Sequence, residues 1–179
     1  MKQKTQSIFN IIFFQLGWWG CFFIAYESLS FFLLALLVLC FVTGHFLFVA
    51  HKKTRVREFL FFLLIALPGY ACDSLFSSLK VVTFSESFYG LAPLWLLGMW
   101  FIFPMSIGYS FSWLKNRLWL AFIFGAIGGP LSYRFGESFG LIHFTGIRDL
   151  SIYACYWGFF MTFAVWLREK NFFRRENEA

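Results

Sequence analysis

The chain has 179 residues, a formal net charge of +6, 60% hydrophobic residues and only 13% charged residues. Soluble domains contain about 45–50% apolar and about 25% charged residues, and a core of this size cannot bury 29 phenylalanines and 8 tryptophans. This composition excludes a soluble enzyme, a disordered chain and a secreted disulfide scaffold, and it predicts an integral membrane protein.

Six apolar segments are long enough to cross a hydrocarbon core about 30 Å thick, which takes about 20 helical residues. They are continuous and lack the polar–apolar alternation of barrel strands, so helices are expected. The predicted fold is all-α: a single domain over residues 1–179, folded as a polytopic bundle of six transmembrane helices. The predicted spans lie near Ile8–Tyr26, Leu29–Ala50, Glu58–Leu79, Leu91–Trp113, Leu118–Gly136 and Leu150–Leu167.

The first span has a feature of a signal peptide, because Lys2 and Lys4 precede an apolar run. The run is too long for a signal peptide, however. It contains the bulky pair Trp18–Trp19 and no small-x-small cleavage pattern before Glu27. A retained span is therefore predicted.

The basic residues predict how the six spans are oriented. With a cytoplasmic N-terminus, 12 of the 15 Lys and Arg residues fall on the cytoplasmic side, and only Lys80, Arg134 and Arg148 fall outside. This asymmetry follows the positive-inside rule and predicts that both termini are cytoplasmic. The net charge then indicates anionic lipid headgroups as counterions, not nucleic acid.

Proline and glycine interrupt three of the predicted spans. Proline lacks a backbone donor and clashes with the preceding turn, so kinks are expected at these sites. Gly125 and Gly129 also form a Gly-x-x-x-Gly pair that allows another helix to approach closely. Two interpretations stay open, helix packing alone or a cavity opened by bent helices. The interrupting residues are Pro68 and Gly69 in the third span, Pro104 in the fourth, and Gly128, Gly129 and Pro130 in the fifth.

One set of polar residues is predicted toward the cytoplasmic side of the membrane. Gln15, His45 and Ser106 are expected to share a layer, with Tyr109 and Ser110 slightly shallower. His45 has an unperturbed pKa of about 6.5, which permits proton transfer near neutrality. Alternatively, a hydroxyl or amide neighbour simply satisfies His45. Neither a second histidine nor a carboxylate is expected nearby, so no metal site is predicted.

A second set is predicted toward the outside. Asp73 and Arg134 are each roughly 22–24 Å from the cytoplasmic edge, and Arg134 is the only basic residue at that depth. A buried carboxylate seeks a cation, so an Asp73–Arg134 pair is predicted, with Ser77 and Glu137 completing the network. This network is either a structural clasp between the third and fifth spans or a site for a polar headgroup or substrate.

Recognisable catalytic and cofactor motifs are absent from the sequence. It has no His-box, no Gly-rich dinucleotide loop and no Gly-x-Ser-x-Gly elbow. Cys21, Cys40, Cys72 and Cys155 all fall within predicted spans and form no C-x-x-C pair, so they are interpreted as packing residues. His143, in the longest outside loop, is interpreted as a surface residue. No cofactor and no metal are predicted, and enzymatic activity stays an open question.

Five strings together resemble one family of small bacterial inner-membrane proteins, catalogued as a domain of unknown function (number 2878). The resemblance covers nearly the whole chain and implies a multi-pass protein of the bacterial inner membrane. It carries no established reaction. Family members accompany genes for cyclopropane-type fatty-acid modification, which implies a role in membrane-lipid metabolism. The strings are Asn10-x-x-Phe-Phe-Gln-Leu-Gly-Trp-Trp, His45, Asp73-Ser, Leu91-Ala-Pro-Leu-Trp-Leu-Leu-Gly-Met-Trp and Gly128-Gly-Pro-Leu-Ser-Tyr.

Three functions are compatible with the sequence. The first is a protein that binds lipid or assists lipid-modifying enzymes, with membrane lipids, such enzymes or a second copy of the chain as partners. The second is a small proton-coupled transporter that uses His45 and Asp73, although no internal repeat supports it. The third is a structural subunit of a membrane complex.

Overall fold

The computed structural model describes residues 3–50, 52–87 and 89–170, with side chains from Ser7 onward. The described chain is mainly helical, and two short strands from two different loops pair with each other. A π-helical turn, His45–Val49, extends α2, and short 3-10 turns occupy Lys52–Thr54 and Ser112–Leu114. The helices are α1 (Gln3–Tyr26), α2 (Phe31–Gly44), α3 (Arg55–Ser78), α4 (Leu94–Ile102), α5 (Pro104–Ile107), α6 (Leu118–Ser138) and α7 (Ile147–Glu169), and the strands are β1 (Thr83–Phe84) and β2 (Ile142–His143).

Five helical segments of the described chain are long and apolar enough to cross a membrane. The predicted all-α membrane architecture is confirmed to this extent. The bilayer favours helices because every backbone N–H and C=O is paired within the segment itself. These five segments are Ser7–Tyr26, Phe31–Val49, Lys52–Ser78, Leu118–Ser138 and Ile147–Glu169.

The fourth predicted span, Leu91–Trp113, differs from the prediction. Its apolar helical part covers only Leu94–Ile107, which is about 21 Å of helix. The helix is interrupted between α4 and α5, where Pro104 has no N–H to donate to the carbonyl four residues earlier. The residues that follow form turns and a 3-10 segment, so this stretch is not a full-length spanning helix.

The α4–α5 stretch nevertheless runs along most of α3. At one end, the Ala92 N–H donates to Ser74 Oγ at 3.1 Å. At the other, the Tyr109 hydroxyl donates to Glu58 Oε2 at 3.4 Å. Glu58 and Ser74 are separated on α3 by about 24 Å of helical rise. The interrupted helix, together with the residues that flank it, therefore reaches both ends of the bundle.

The two ends of the bundle differ in structure and charge. At the ladder end, β1 and β2 pair antiparallel, with Thr83 opposite His143, and join the loops that follow α3 and α6. The opposite end is the basic end, because it holds the start of α3 at Arg55, the turn at Lys115 and the end of α7 at Arg168. Ser7, near the start of α1, also lies there and donates to the Tyr109 carbonyl at 3.3 Å. Both ends of the described chain therefore lie on one side.

Helices α6 and α7 form a closely packed hairpin. A Cβ at Gly125 would lie 2.3 Å from the Trp157 carbonyl oxygen, and one at Gly129 would lie 2.1 Å from Trp157 Cγ. Only glycine fits such a separation, as in other Gly-x-x-x-Gly contacts. Helix α3 continues through Pro68, and α6 continues through Pro130. The kinks expected at these two prolines stay predictions.

Candidate functional site

A fully buried carboxylate, Asp73, lies toward the ladder end and receives three hydrogen bonds. Trp100 Nε1 donates to Oδ2 at 2.6 Å, and the Tyr133 hydroxyl donates to the same oxygen at 2.7 Å. The Tyr153 hydroxyl donates to Oδ1. We call these four residues the Asp73 cluster. It joins α3, α4, α6 and α7 through neutral donors.

Small residues and ring stacking position the donors of the Asp73 cluster. Gly69 lies one turn before Asp73, and a Cβ there would be 2.4 Å from the Trp100 ring. The indole of Trp100 therefore lies directly on α3, where its N–H reaches the carboxylate. Its other side is fixed by stacking on Trp157, with ring centroids 5.1 Å apart.

The predicted Asp73–Arg134 pair is wrong. Arg134 has 55% of its side chain exposed and forms its ion pair with Glu137, one turn along α6. The two residues share a depth but not a helix face, because the neighbouring Tyr133 is the α6 residue that points at Asp73. A carboxylate does not require a cation when several neutral donors converge on it.

The rest of the predicted outer network also differs. Glu137 accepts a hydrogen bond from the Phe144 amide at 3.1 Å and approaches His143 Nδ1 at 3.4 Å, so it organises the loop after α6. His143 itself is exposed, as expected. On α3, the buried hydroxyl beside Asp73 belongs to Ser74, whereas Ser77 is only half-buried. Glu137 and Ser77 therefore do not join the Asp73 cluster.

A second buried carboxylate, Glu58, lies at the basic end. It is 1% exposed, and its Oε1 lies 3.0 Å from His45 Nε2 and 3.6 Å from Arg168 Nη2. The Tyr109 hydroxyl donates to the other carboxylate oxygen. Burial, and then the charge of Glu58, raises the pKa of the Tyr109 phenol well above its ordinary value, so the phenol stays a donor. We call these four residues the Glu58 cluster.

The expectation that no carboxylate lies near His45 is wrong, and Glu58 is the residue that sequence reasoning missed. The structure begins α3 at Arg55, so Glu58 lies within its first turn and faces inward. One signal was present in the sequence: a short loop joins the second and third spans, so their adjoining ends must be neighbours. His45 Nδ1 is buried without a hydrogen-bond partner among the described residues.

The predicted layer around His45 contains Asn10 in place of Gln15. Gln15 is exposed on α1. Asn10 is fully buried, and its Oδ1 accepts a hydrogen bond from Ser110 at 2.6 Å. Five helical residues separate the two amides, a rotation of about 140° at 3.6 residues per turn, so they cannot share a face. Ser106 is buried as expected and donates to the Phe103 carbonyl at 2.7 Å.

A cavity of about 190 Å³ lies between α1, α4, α6 and α7, and we call it the mid-bundle cavity. Its walls are mainly aromatic, and two members of the Asp73 cluster, Trp100 and Tyr133, contribute to them. Gly128 also lines it, and a Cβ at that position would meet nothing within 4 Å. The cavity is lined by Phe14, Trp18, Leu96, Met99, Trp100, Phe103, Phe111, Phe124, Gly125, Gly128, Gly129, Ser132, Tyr133, Trp157 and Met161.

Among the described residues, no group of three or more His, Cys, Asp or Glu side chains is placed to bind a metal ion. The four cysteines are free thiols. Cys21 is buried in the core, while Cys40 and Cys155 are exposed.

The comparison with protein families identifies the chain. Residues 7–163 match the model of a family described as proteins of unknown function, DUF2878. The chain belongs to this family. No curated protein and no solved structure matches it.

In this DUF2878 protein, three of the strings that carry the family resemblance meet in space. Asp73 comes from the Asp-Ser string, Trp100 ends the Leu91–Trp100 string, and Tyr133 ends the Gly128–Tyr133 string. The hydrogen bonds of the Asp73 cluster join all three. The same strings supply much of the mid-bundle cavity wall. The cluster and the adjoining cavity are therefore the candidate functional site of this protein.

Proposed function

We propose that this membrane protein binds the acyl chain of a lipid in the mid-bundle cavity and acts in membrane-lipid metabolism as a binding or accessory protein. The observation that carries the proposal is a cavity of about 190 Å³ with predominantly apolar and aromatic walls. An apolar cavity of about 150 Å³ stays dry and takes up small apolar molecules. Within a bilayer, the abundant apolar guest is a lipid tail.

Access from the bilayer supports this occupant. Ser132 lines the cavity and is exposed on the outside of the bundle, and Gly128 is half-buried beside it. The cavity therefore opens sideways between α1 and α6. Gly128 is ten residues into α6, about 15 Å along the helix, a depth at which hydrocarbon tails lie.

Aromatic contacts close the opening on both sides of Gly128. Toward the ladder end, Phe22 of α1 packs on Phe135 of α6 with ring centroids 5.2 Å apart. Toward the basic end, Phe111 packs on Phe124 at 5.0 Å. The resulting opening is local, which suits a single chain entering between two helices.

The proposed topology places the basic end in the cytoplasm of a bacterium and the ladder end outside its inner membrane. The α4–α5 stretch then acts as a sixth, short crossing, which places both termini on the cytoplasmic side. The gathering of Arg55, Lys115 and Arg168 at one end supports this orientation, because cytoplasmic loops are enriched in basic residues.

Proton-coupled transport receives less support than lipid binding. The proposed relay needed His45 and Asp73 to communicate, but they belong to separate clusters. Glu58, the partner of His45, is separated from Asp73 by about 22 Å of helical rise along α3. Between Glu58 and Asp73, the described residues of α3 carry only two further ionisable side chains, Tyr70 and Cys72, and both lie within one turn of Asp73, so neither shortens this path.

Photo-crosslinking in vesicles tests acyl-chain binding. A phospholipid with a diazirine near the middle of its acyl chain should label cavity-lining positions on α6 and α7, such as Tyr133 and Trp157, which peptide mass spectrometry would locate. Gly128→Phe fills the open space next to its Cβ and should abolish this labelling.

Leu131→Phe is the matched control, because Leu131 lies on the same helix and is exposed to the surroundings of the bundle. In Leu131→Phe, the lipid should label the cavity-lining positions to the same extent as in the unmodified protein. Equal cavity labelling in Gly128→Phe, or labelling confined to outward-facing positions, would reject the proposal.

A further inference from the structure

A second cavity, of about 180 Å³, lies at the ladder end between α1, α2 and the start of α4, and we call it the ladder-end cavity. Its walls combine apolar side chains with a carboxylate. Ile24, Leu34 and Leu94 form part of the apolar wall, while Glu86 and Ser87 supply polar groups. It shares no lining residue with the mid-bundle cavity.

Glu86 gives this cavity a negative charge that is available to a guest. Its side chain is exposed, and its Oε1 accepts a hydrogen bond from Ser28 at 3.4 Å. Among the described residues, Glu86 forms no ion pair. A carboxylate beside an apolar cavity favours an organic cation that also carries an apolar part, because the two surfaces can be satisfied together.

Trp95 lines the same cavity and carries an indole N–H donor. The residue is 5% exposed, and its indole Nε1 is buried without a hydrogen-bond partner in the described part of the chain. Leaving such a buried donor unpaired is unfavourable, because the group has lost its hydrogen bond to water without replacement. Phosphate and ester oxygens are acceptors of the kind that this donor requires.

We propose that the ladder-end cavity binds the headgroup of a phospholipid that carries a primary ammonium group, of the phosphoethanolamine class. The ammonium donates to the Glu86 carboxylate, an oxygen of the phosphate or ester accepts from Trp95, and the first carbons of the acyl chains pack on Leu34 and Leu94. The cavity lies at the end of the bundle, where headgroups meet the ends of spanning helices. This site does not depend on acyl-chain binding in the mid-bundle cavity.

Lipid competition measured by native mass spectrometry tests the headgroup site. The full-length protein, stripped of bound lipid in detergent, is titrated with ethanolamine, choline and glycerol phospholipids that have identical acyl chains. We expect the ethanolamine lipid to bind about tenfold more tightly than either alternative, which corresponds to about 1.4 kcal/mol. Glu86→Gln should remove this preference.

Glu27→Gln is the matched control, because Glu27 is an exposed carboxylate near the same end that does not line the cavity. Glu27→Gln should keep the preference for the ethanolamine lipid. Gly128→Phe should keep it as well, because that substitution fills the mid-bundle cavity and not the ladder-end cavity. Equal affinity for ethanolamine and choline lipids, or an unchanged preference in Glu86→Gln, would overturn the proposal. Competition by soluble phosphoethanolamine as strong as that by the lipid would overturn the lipid assignment in favour of a soluble amine.

Discussion

Helix α3 carries two buried carboxylates, and the protein stabilises them in different ways. At the basic end, Glu58 lies beside Arg168 and His45, so charge and hydrogen bonding act together. Toward the ladder end, Asp73 receives three hydrogen bonds from uncharged aromatic side chains, and no described cation pairs with it. Opposite charge is therefore one solution to burying a carboxylate in a membrane protein, and converging neutral donors are another.

The difference matters for function because only one cluster adjoins the proposed binding cavity. Trp100 and Tyr133 hold Asp73 on one side and line the mid-bundle cavity on the other. The Glu58 cluster instead joins the ends of α3, α7 and the π-helical turn of α2. We interpret the Glu58 cluster as a clasp at the basic end and the Asp73 cluster as the rigid wall of the candidate site.

The largest expected effect comes from Asp73→Ala. It leaves the Trp100 indole and two tyrosine hydroxyls without their shared acceptor, at about 1–3 kcal/mol for each unsatisfied group. We expect the free energy of unfolding, measured by SDS titration in mixed micelles, to fall by at least about 3 kcal/mol. Asp73→Asn keeps one acceptor oxygen and should lose less. A loss below about 1 kcal/mol for Asp73→Ala would show that the donors find other partners.

Glu58→Gln should have the next largest effect. It removes the charge of one partner of the Glu58–Arg168 pair, and removing one partner of a buried pair costs about 3–5 kcal/mol. Because 16% of the Arg168 side chain is exposed, we expect about 2–3 kcal/mol in the same titration.

A second substitution sharpens the contrast between the clusters. Adding Arg168→Gln to Glu58→Gln should restore part of the loss, because both charges of the pair are then removed together. Strictly additive losses in this double-mutant cycle would exclude direct coupling between Glu58 and Arg168.

Trp100→Phe should have a moderate effect at the other carboxylate. The ring can still stack on Trp157, but Asp73 loses one of its three donors, with an expected cost of about 1 kcal/mol. Thermal unfolding in detergent would measure this loss. Trp119→Phe is the control, because Trp119 is 66% exposed and should leave the midpoint unchanged. Similar midpoints for both variants would contradict the assigned hydrogen bond.

Arg134→Ala should have the smallest effect. Its ion pair with Glu137 is largely exposed, and such pairs contribute about 0–1 kcal/mol. We expect the free energy of unfolding to change by less than about 0.5 kcal/mol. A loss as large as that of Asp73→Ala would indicate that Arg134 does pair with Asp73. The two buried carboxylates would then both be stabilised by a cation.

Composition and hydropathy were sufficient for the helical membrane architecture, because a bilayer leaves few ways to satisfy backbone polar groups. The close approach at Gly125 and Gly129 also follows from local sequence. Depth along a helix was less informative than helix face. Arg134 and Gln15 lie at suitable depths but on the wrong faces, whereas Tyr133 and Asn10 lie on the inward ones.

The remaining features depend on tertiary packing. Nothing local to Trp100, Tyr133 or Tyr153 marks them as partners of one carboxylate, because they come from three different helices. Glu58 was missed because the start of α3 was predicted three residues too late. The two cavities arise from gaps between helices that are distant in sequence, so no sequence motif predicts them.

An experimental structure of the protein in lipid nanodiscs, compared with the same structure of Gly128→Phe, tests acyl-chain binding most directly. We predict elongated density for one hydrocarbon chain between α1 and α6 beside Gly128, against the wall formed by Trp100 and Tyr133, and its loss in the variant. A native structure in which α1 packs directly on α6 at Gly128, with no space for a chain, would contradict lipid binding at this site.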